Sequence, residues 1–113
     1  MKIAISACGN GWDHQVDERF GRAAGFFVVD TTDNATSYID NGANTEAGHG
    51  AGTGAARSVV DAGVSVVVTG RIGPKAGAVL RAAGVNVMTG VGRTSVREAY
   101  EQYQRGALHE EGL

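Results

Sequence analysis

The hydrophobic period of this chain changes once, near Gly50, and that single change restricts the fold more than any other feature. Before it, Lys2-Ile3-Ala4-Ile5-Ser6-Ala7, Phe26-Phe27-Val28-Val29-Asp30 and Thr36-Ser37-Tyr38-Ile39-Asp40 read as three strands, the last two joined by a turn at Thr31-Thr32-Asp33-Asn34. After it, apolar residues recur at helical spacing: Ala55, Val59 and Ala62; then Ala76, Leu80 and Ala83; then Val96, Ala99, Tyr100 and Tyr103. Between these helices lie Val64 to Val68 and Val85 to Met88, short β-branched runs suited to strands buried on both faces. Helix punctuation agrees: Gly63 and Gly84 follow the first two helices, Pro74 suits a first turn, Ser95 and Glu98 have capping-box spacing, and Gly106 ends the last helix. Ala62-Gly63-Val64 through Thr69-Gly70 also resembles Ala83-Gly84-Val85 through Thr89-Gly90, a weak internal repeat of helix end, strand and glycine turn.

The element order is therefore βββαβαβα. Successive helix-strand units require right-handed parallel crossovers, whereas the first three strands form hairpins. This predicts an α/β fold: a mixed five-stranded sheet in the order 3-2-1-4-5, strand 2 antiparallel, with three helices on both faces of the sheet. Winding reverses between strands 1 and 4, and ligands of open α/β sheets bind outside the carboxyl ends of strands at such a point. The loops there are residues 7–18 and 69–74, with Gly90-Val91-Gly92-Arg93 beside them.

Gly48-His49-Gly50-Ala51-Gly52-Thr53-Gly54 precedes the first helix, and glycines at a helix start leave amides bare for an anion. Glycine makes up 18 of 113 residues, gathered at element ends rather than in a low-complexity tract, which is the pattern of many tight loops. A net charge of -2 provides no global field for nucleic acid or an anionic membrane, so any positive site must be local. The one cysteine, Cys8, excludes an intrachain disulfide and zinc sites built on cysteine pairs, and points to a reducing compartment. The start is too short for a signal peptide and no apolar run has membrane-spanning length, so the expectation is a cytoplasmic monomer. Residues 1–106 read as one domain and 107–113 as a flexible acidic tail carrying a solvent-exposed His109.

Val16-Asp17-Glu18-Arg19-Phe20-Gly21-Arg22-Ala23, then Phe26 to Asp30, the Gly50 to Gly54 glycines, and Val66-Val67-Val68-Thr69-Gly70-Arg71-Ile72-Gly73-Pro74 follow in an order and spacing that resembles the dinitrogenase iron-molybdenum cofactor biosynthesis family. The likeness runs over roughly residues 1 to 105 and is greatest to the small stand-alone members of orange-protein type. It implies a ribonuclease H-like three-layer fold and the binding or carrying of a metal-sulfur cluster without catalysis. The implied ligand is a molybdenum-copper sulfide cluster held non-covalently, or a related molybdenum or iron-sulfur cluster. The implied partners are cluster-donating or cluster-accepting proteins and ATPases. Many members carry a histidine before Phe-Gly-Arg; here that position is Arg19, so a histidine ligand is absent from it.

A cluster that brings its own sulfide needs charge neutralisation and exclusion of water more than a set of thiolates. Arg19, Arg22, Arg71, Lys75 and Arg93 fall in or beside the predicted loops, and guanidinium groups suit a diffuse anion. Amides around Gly21, Gly50, Gly52, Gly70, Ile72 and Gly73 are candidate donors, with Asn10 in the first loop, and Trp12 and Phe20 are a candidate apolar lid. Cys8, His14 and His49 are the candidate metal ligands. Each also has a plainer reading, Cys8 as a small buried hydrophobe and the two histidines as solvated loop residues.

The sequence offers three other readings. Gly50 to Ala55 fits a G-x-G-x-x-A dinucleotide pattern, but no strand precedes it and no acid ends the following strand. A nuclease would need carboxylates converging on metal ions, and the first strand has none. A protein-interaction or regulatory module without a cluster is the remaining alternative.

Overall fold

The computed structural model describes residues 1–45 and 50–110. Its sheet contains β1 (Lys2–Ala7), β2 (Gly25–Asp30), β3 (Thr36–Asp40), β4 (Val66–Val68), β5 (Asn86–Thr89) and β6 (His109–Glu110), in the order β3-β2-β1-β4-β5-β6. The first five positions match the predicted order, with β1 central, antiparallel to β2 and parallel to β4. The sheet has six strands rather than five. Met88 pairs with Glu110 and Thr89 with His109, so two residues from the segment read as a tail close the β5 edge.

Helices α1 (Gly42–Thr45), α2 (Ala51–Asp61), α3 (Pro74–Ala82) and α4 (Val96–Gln104) accompany a 3-10 turn at Phe20–Arg22. The single turn α1 is an addition to the three helices expected. It has no apolar stripe, and is anchored instead by the buried side chain of Asn41, whose Oδ1 accepts from Asn44 Nδ2 at 2.8 Å and whose Nδ2 donates to Ala23 O at 2.9 Å. Helix α2 begins at Ala51, so Gly52 and Gly54 lie inside the first turn and the glycine run is shorter as a loop than the sequence suggested. Ser95 caps α4 by accepting from Glu98 N at 3.1 Å, and Pro74 opens α3.

Strand alternation divides the core between the two faces of the sheet. On one face Ala4, Phe26, Val28, Val67 and Val87 meet Ala55, Ala56 and Val59 of α2 and Ala76 and Leu80 of α3. On the other, Ile3, Ile5, Phe27, Val29, Val66 and Val68 meet Val96 and Ala99 of α4, with Trp12, Tyr100 and Tyr103 packed at the margin. Helices thus cover both faces. No helix among the described residues is long and apolar enough to cross a membrane.

Leu80 is fully buried between α3 and the sheet. Truncating it removes apolar contacts and leaves a cavity, so Leu80→Ala is expected to cost about 2 to 5 kcal/mol in urea-denaturation free energy, whereas exposed Arg57→Ala on α2 should change it by less than about 0.5 kcal/mol.

Candidate functional site

The parallel strands β1 and β4 end side by side, and the chain leaving each is tied to the other. Ser6 Oγ donates to Asp17 O at 2.6 Å and accepts from the Thr69 hydroxyl at 2.8 Å, a buried polar link at the point where the two strands stop. Beyond it, Arg71 N donates to Glu18 O at 2.8 Å and Phe20 N donates to Arg71 O at 3.1 Å. Arg19 and Arg71 pair as a short parallel bridge. Gly70 makes this approach possible. A Cβ there would lie 2.7 Å from Glu18 O and 2.8 Å from Glu18 Cα.

This clamp forms one wall of an open cleft of about 540 Å³ lined by Cys8, Gln15, Val16, Asp17, Glu18, Arg19, Arg71 and Arg93. It sits at the predicted switch point, since Cys8 follows β1, Arg71 follows β4 and Arg93 follows β5. The opposite wall is the returning loop, held by Cys8 N to Gln15 O at 2.9 Å and Val16 N to Thr94 O at 2.9 Å. Three guanidinium groups face two carboxylates. Asp17 Oδ1 accepts from the Arg19 backbone at 2.9 Å and lies 3.4 Å from Arg19 Nε, while Glu18 Oε1 lies 3.9 Å from Arg93 Nε. Cys8 is exposed, which removes its reading as a buried hydrophobe.

Of the sequence candidates, Cys8, Arg19, Arg71 and Arg93 line the cleft. Gly70 lies directly behind it. Phe20 does not serve as a lid: it is 1% exposed and packs on Phe26 with ring centroids 5.0 Å apart. Trp12 is likewise committed to packing, edge-on to Phe27 at 4.9 Å and to Tyr100 at 5.4 Å, with Arg97 over its ring at 5.5 Å. His14 lies over the backbone of Gly9 and Gly11, and its carbonyl accepts from Val96 N at 2.8 Å, so this loop is fastened to α4. Asn10 is exposed in the same turn. Arg22 donates to Thr45 O at 2.9 Å, on the α1 side of the 3-10 turn.

Gly21 and Gly52 meet back to back, because a Cβ on Gly21 would lie 2.8 Å from Gly52 Cα; Gly52 also abuts Ala76. These glycines allow α2, α3 and the 3-10 turn to pack closely rather than presenting amides to the cleft. Gly50 is the α2 N-cap, Gly73 the α3 N-cap, and Lys75 is exposed in the first turn of α3. Ile72 packs against the α2–α3 core. His49 lies outside the described residues. Gln15, Val16, Asp17 and Glu18 are the cleft residues that sequence reasoning did not assign to the site. Their signal was present in the run that ends at Arg19, where the chain returns alongside Ala7.

Among the described residues no group of three or more histidine, cysteine or acidic side chains is placed to hold a metal ion. The cleft therefore suits an anion more than a bare cation. Burial raises the Tyr38 phenol above its ordinary range, with smaller contributions from Asp40 and Cys8.

Gly70→Ala forces Glu18 and Arg71 apart. The expected loss is about 1 to 3 kcal/mol of stability in urea denaturation, with amide NMR shifts concentrated at Glu18, Arg19 and Arg71. Unchanged shifts at those three amides would contradict the clamp.

The chain matches the dinitrogenase iron-molybdenum cofactor family over residues 1–106. Among solved structures it is similar to the apo form of the orange protein from Desulfovibrio gigas, with 43% identity and a TM-score of 0.94 over 98% of this chain and 92% of that one. It is also similar to a Thermotoga protein of the DUF35 family, with 32% identity and a TM-score of 0.83 over 96% and 91% of the two chains. An uncharacterized protein of Methanocaldococcus jannaschii is 30% identical over 111 residues, 96% of this chain and 89% of that protein. With a match across nearly the whole described domain, this chain belongs to the dinitrogenase iron-molybdenum cofactor family.

Proposed function

We propose that this protein binds and carries an anionic metal-sulfur cluster, non-covalently, in the cleft between the β1 and β4 loops. The observation that carries this reading is the convergence of Arg19, Arg71 and Arg93 with an exposed Cys8 on one cleft that has no set of ligands for a bare ion. A molybdenum-copper sulfide cluster, or one of iron-molybdenum cofactor type, is cargo of the matching chemistry. Its sulfides complete the coordination of its own metals, so the protein has to supply positive charge, donors and shape.

Guanidinium groups are weakly hydrated and planar, and spread their donors over a large, diffuse anion better than an ammonium does. A hydrogen bond to a charged group contributes about 1.5 to 3 kcal/mol, so several in concert retain a cluster that no single one would. On this reading the protein is a carrier in the cytoplasm rather than an enzyme, with a fold of ribonuclease H-like type, and exchanges its cargo with donor and acceptor proteins. Cys8 lines the pocket without being required as a ligand.

Anaerobic reconstitution with tetrathiomolybdate and copper(I) tests this. The wild-type protein is expected to gain visible absorbance that persists through gel filtration. Arg71→Ala and Arg93→Ala should each lower retention about 10-fold, the double variant further, and high salt should accentuate the loss. Cys8→Ala should keep the chromophore. Retention in the double arginine variant equal to wild type would place the cluster elsewhere, and complete loss in folded Cys8→Ala would make the thiol a necessary ligand.

A further inference from the structure

The two carboxylates of the cleft differ in a way that the binding of an anion does not explain. Asp17 is occupied: its side chain is 14% exposed, and one oxygen serves both the backbone and the side chain of Arg19. It positions that arginine. Glu18 is held only through its backbone. Its carbonyl accepts from Arg71 N at 2.8 Å and its Cα lies against Gly70, yet its side chain is 45% exposed. Among the described residues its carboxylate has one ionic partner, Arg93, at 3.9 Å. Arg93 in turn is 93% exposed and comes from the loop after β5.

A negatively charged group fixed at its base and exposed at its tip, beside an exposed cation of the same cleft, is an internal competitor for that cation. Resting on the cluster-binding reading, we propose that Glu18 is the counter-ion that the anionic cargo displaces from Arg93, and that its return to Arg93 promotes release. The clamp keeps the displaced carboxylate at the rim of the cleft instead of letting it swing away. Two consequences follow physically. While the cargo is bound, Glu18 is left without its cation and repels the cluster. When the cluster begins to leave, Arg93 has a partner already within reach, so the separated state is stabilised relative to an empty cleft in which Arg93 has no counter-ion.

A close exposed pair of this kind is weak, and the effect on affinity is correspondingly modest and expressed mainly in the dissociation rate. Glu18→Gln preserves size and removes the charge. With tetrathiomolybdate as the probe, its Kd is expected to fall about three- to fivefold, with release on dilution slowed by a similar factor. In an Arg93→Ala background the same substitution should change Kd by less than about twofold, because only the direct repulsion remains to be removed.

The cycle separates the exchange from other roles of Glu18. An equal gain with and without Arg93 would overturn it, since Glu18 would then act as a background charge only. An unchanged Kd in Glu18→Gln, with wild type binding normally, would overturn it as well. Absence of tetrathiomolybdate binding in wild type and all variants would overturn the cluster-binding reading, and the exchange with it. Amide NMR spectra superimposable outside residues 16–20 and 90–94 confirm that each variant compared is folded.

Discussion

The site depends on one backbone interaction, the pairing of residues 18–20 with residue 71. Two hydrogen bonds, Arg71 N to Glu18 O and Phe20 N to Arg71 O, join the segment that follows β1 to the loop that follows β4. Without it the two loops would leave the sheet separately, as they do at most carboxyl edges. With it, Arg19 and Arg71 stand side by side, Phe20 is directed into the core beneath them, and Gly21 is brought against α2. Gly70 is the steric condition for this contact, because any side chain would occupy the space of the Glu18 backbone. The cleft is consequently built on main chain, and its arginines can be long and exposed without losing their common origin.

Placing three guanidinium groups together has an electrostatic cost that the structure moderates locally. Asp17 and Glu18 reduce the mutual repulsion, and the cleft is open enough for water to screen what remains. Deep burial would have required each charge to be matched by a fixed partner, leaving none for a ligand. The arrangement instead keeps the charges solvated and only loosely paired. An incoming polyanion then gains from several cations at once, while each pair it breaks is weak.

Much of the fold was legible in the sequence because the two periods that specify it are strong. Val64 to Val68 and the stripe Val96, Ala99, Tyr100 and Tyr103 could be assigned by apolar spacing, and the resulting order put β1 at the centre with the site beside it. The misses share a cause, which is structure fixed by tertiary contact rather than by local preference. His109 and Glu110 have no strand-like character, and pair with β5 because its outer edge is open. Gly52 and Gly54 cost helix propensity of about 1 kcal/mol each, and yet lie in α2 because a small residue is needed where Gly21 and Ala76 approach Gly52 and where the Asn44 side chain approaches Gly54. In the cleft, Arg19, Arg71, Arg93 and Cys8 were identifiable because they fall in or beside loops at the carboxyl edge. Phe20 and Trp12 were not, because adjacency to Arg19 or to a loop does not tell which way an aromatic ring points.

The separation of core from cleft gives the family's resemblance a physical basis. Most apolar burial lies away from the carboxyl edge, where α2 and α3 cover one face of the sheet and α4 covers the other, and the edge loops add Phe20, Trp12, Val16 and Val91 to it. Loops at that edge are therefore fastened by these apolar anchors, the clamp and the Ser6–Thr69 link, while the arginine side chains that face the cleft are free of packing duties. The side chain at position 19 can vary without altering the sheet, because Arg19 projects from a backbone bridge that any residue with extended conformation can make. A histidine at this position would offer one directional nitrogen; arginine offers a fixed positive fork and no lone pair. At position 19 this wall of the cleft thus offers hydrogen-bond donors and no lone pair, and Asp17 holds the side chain in place.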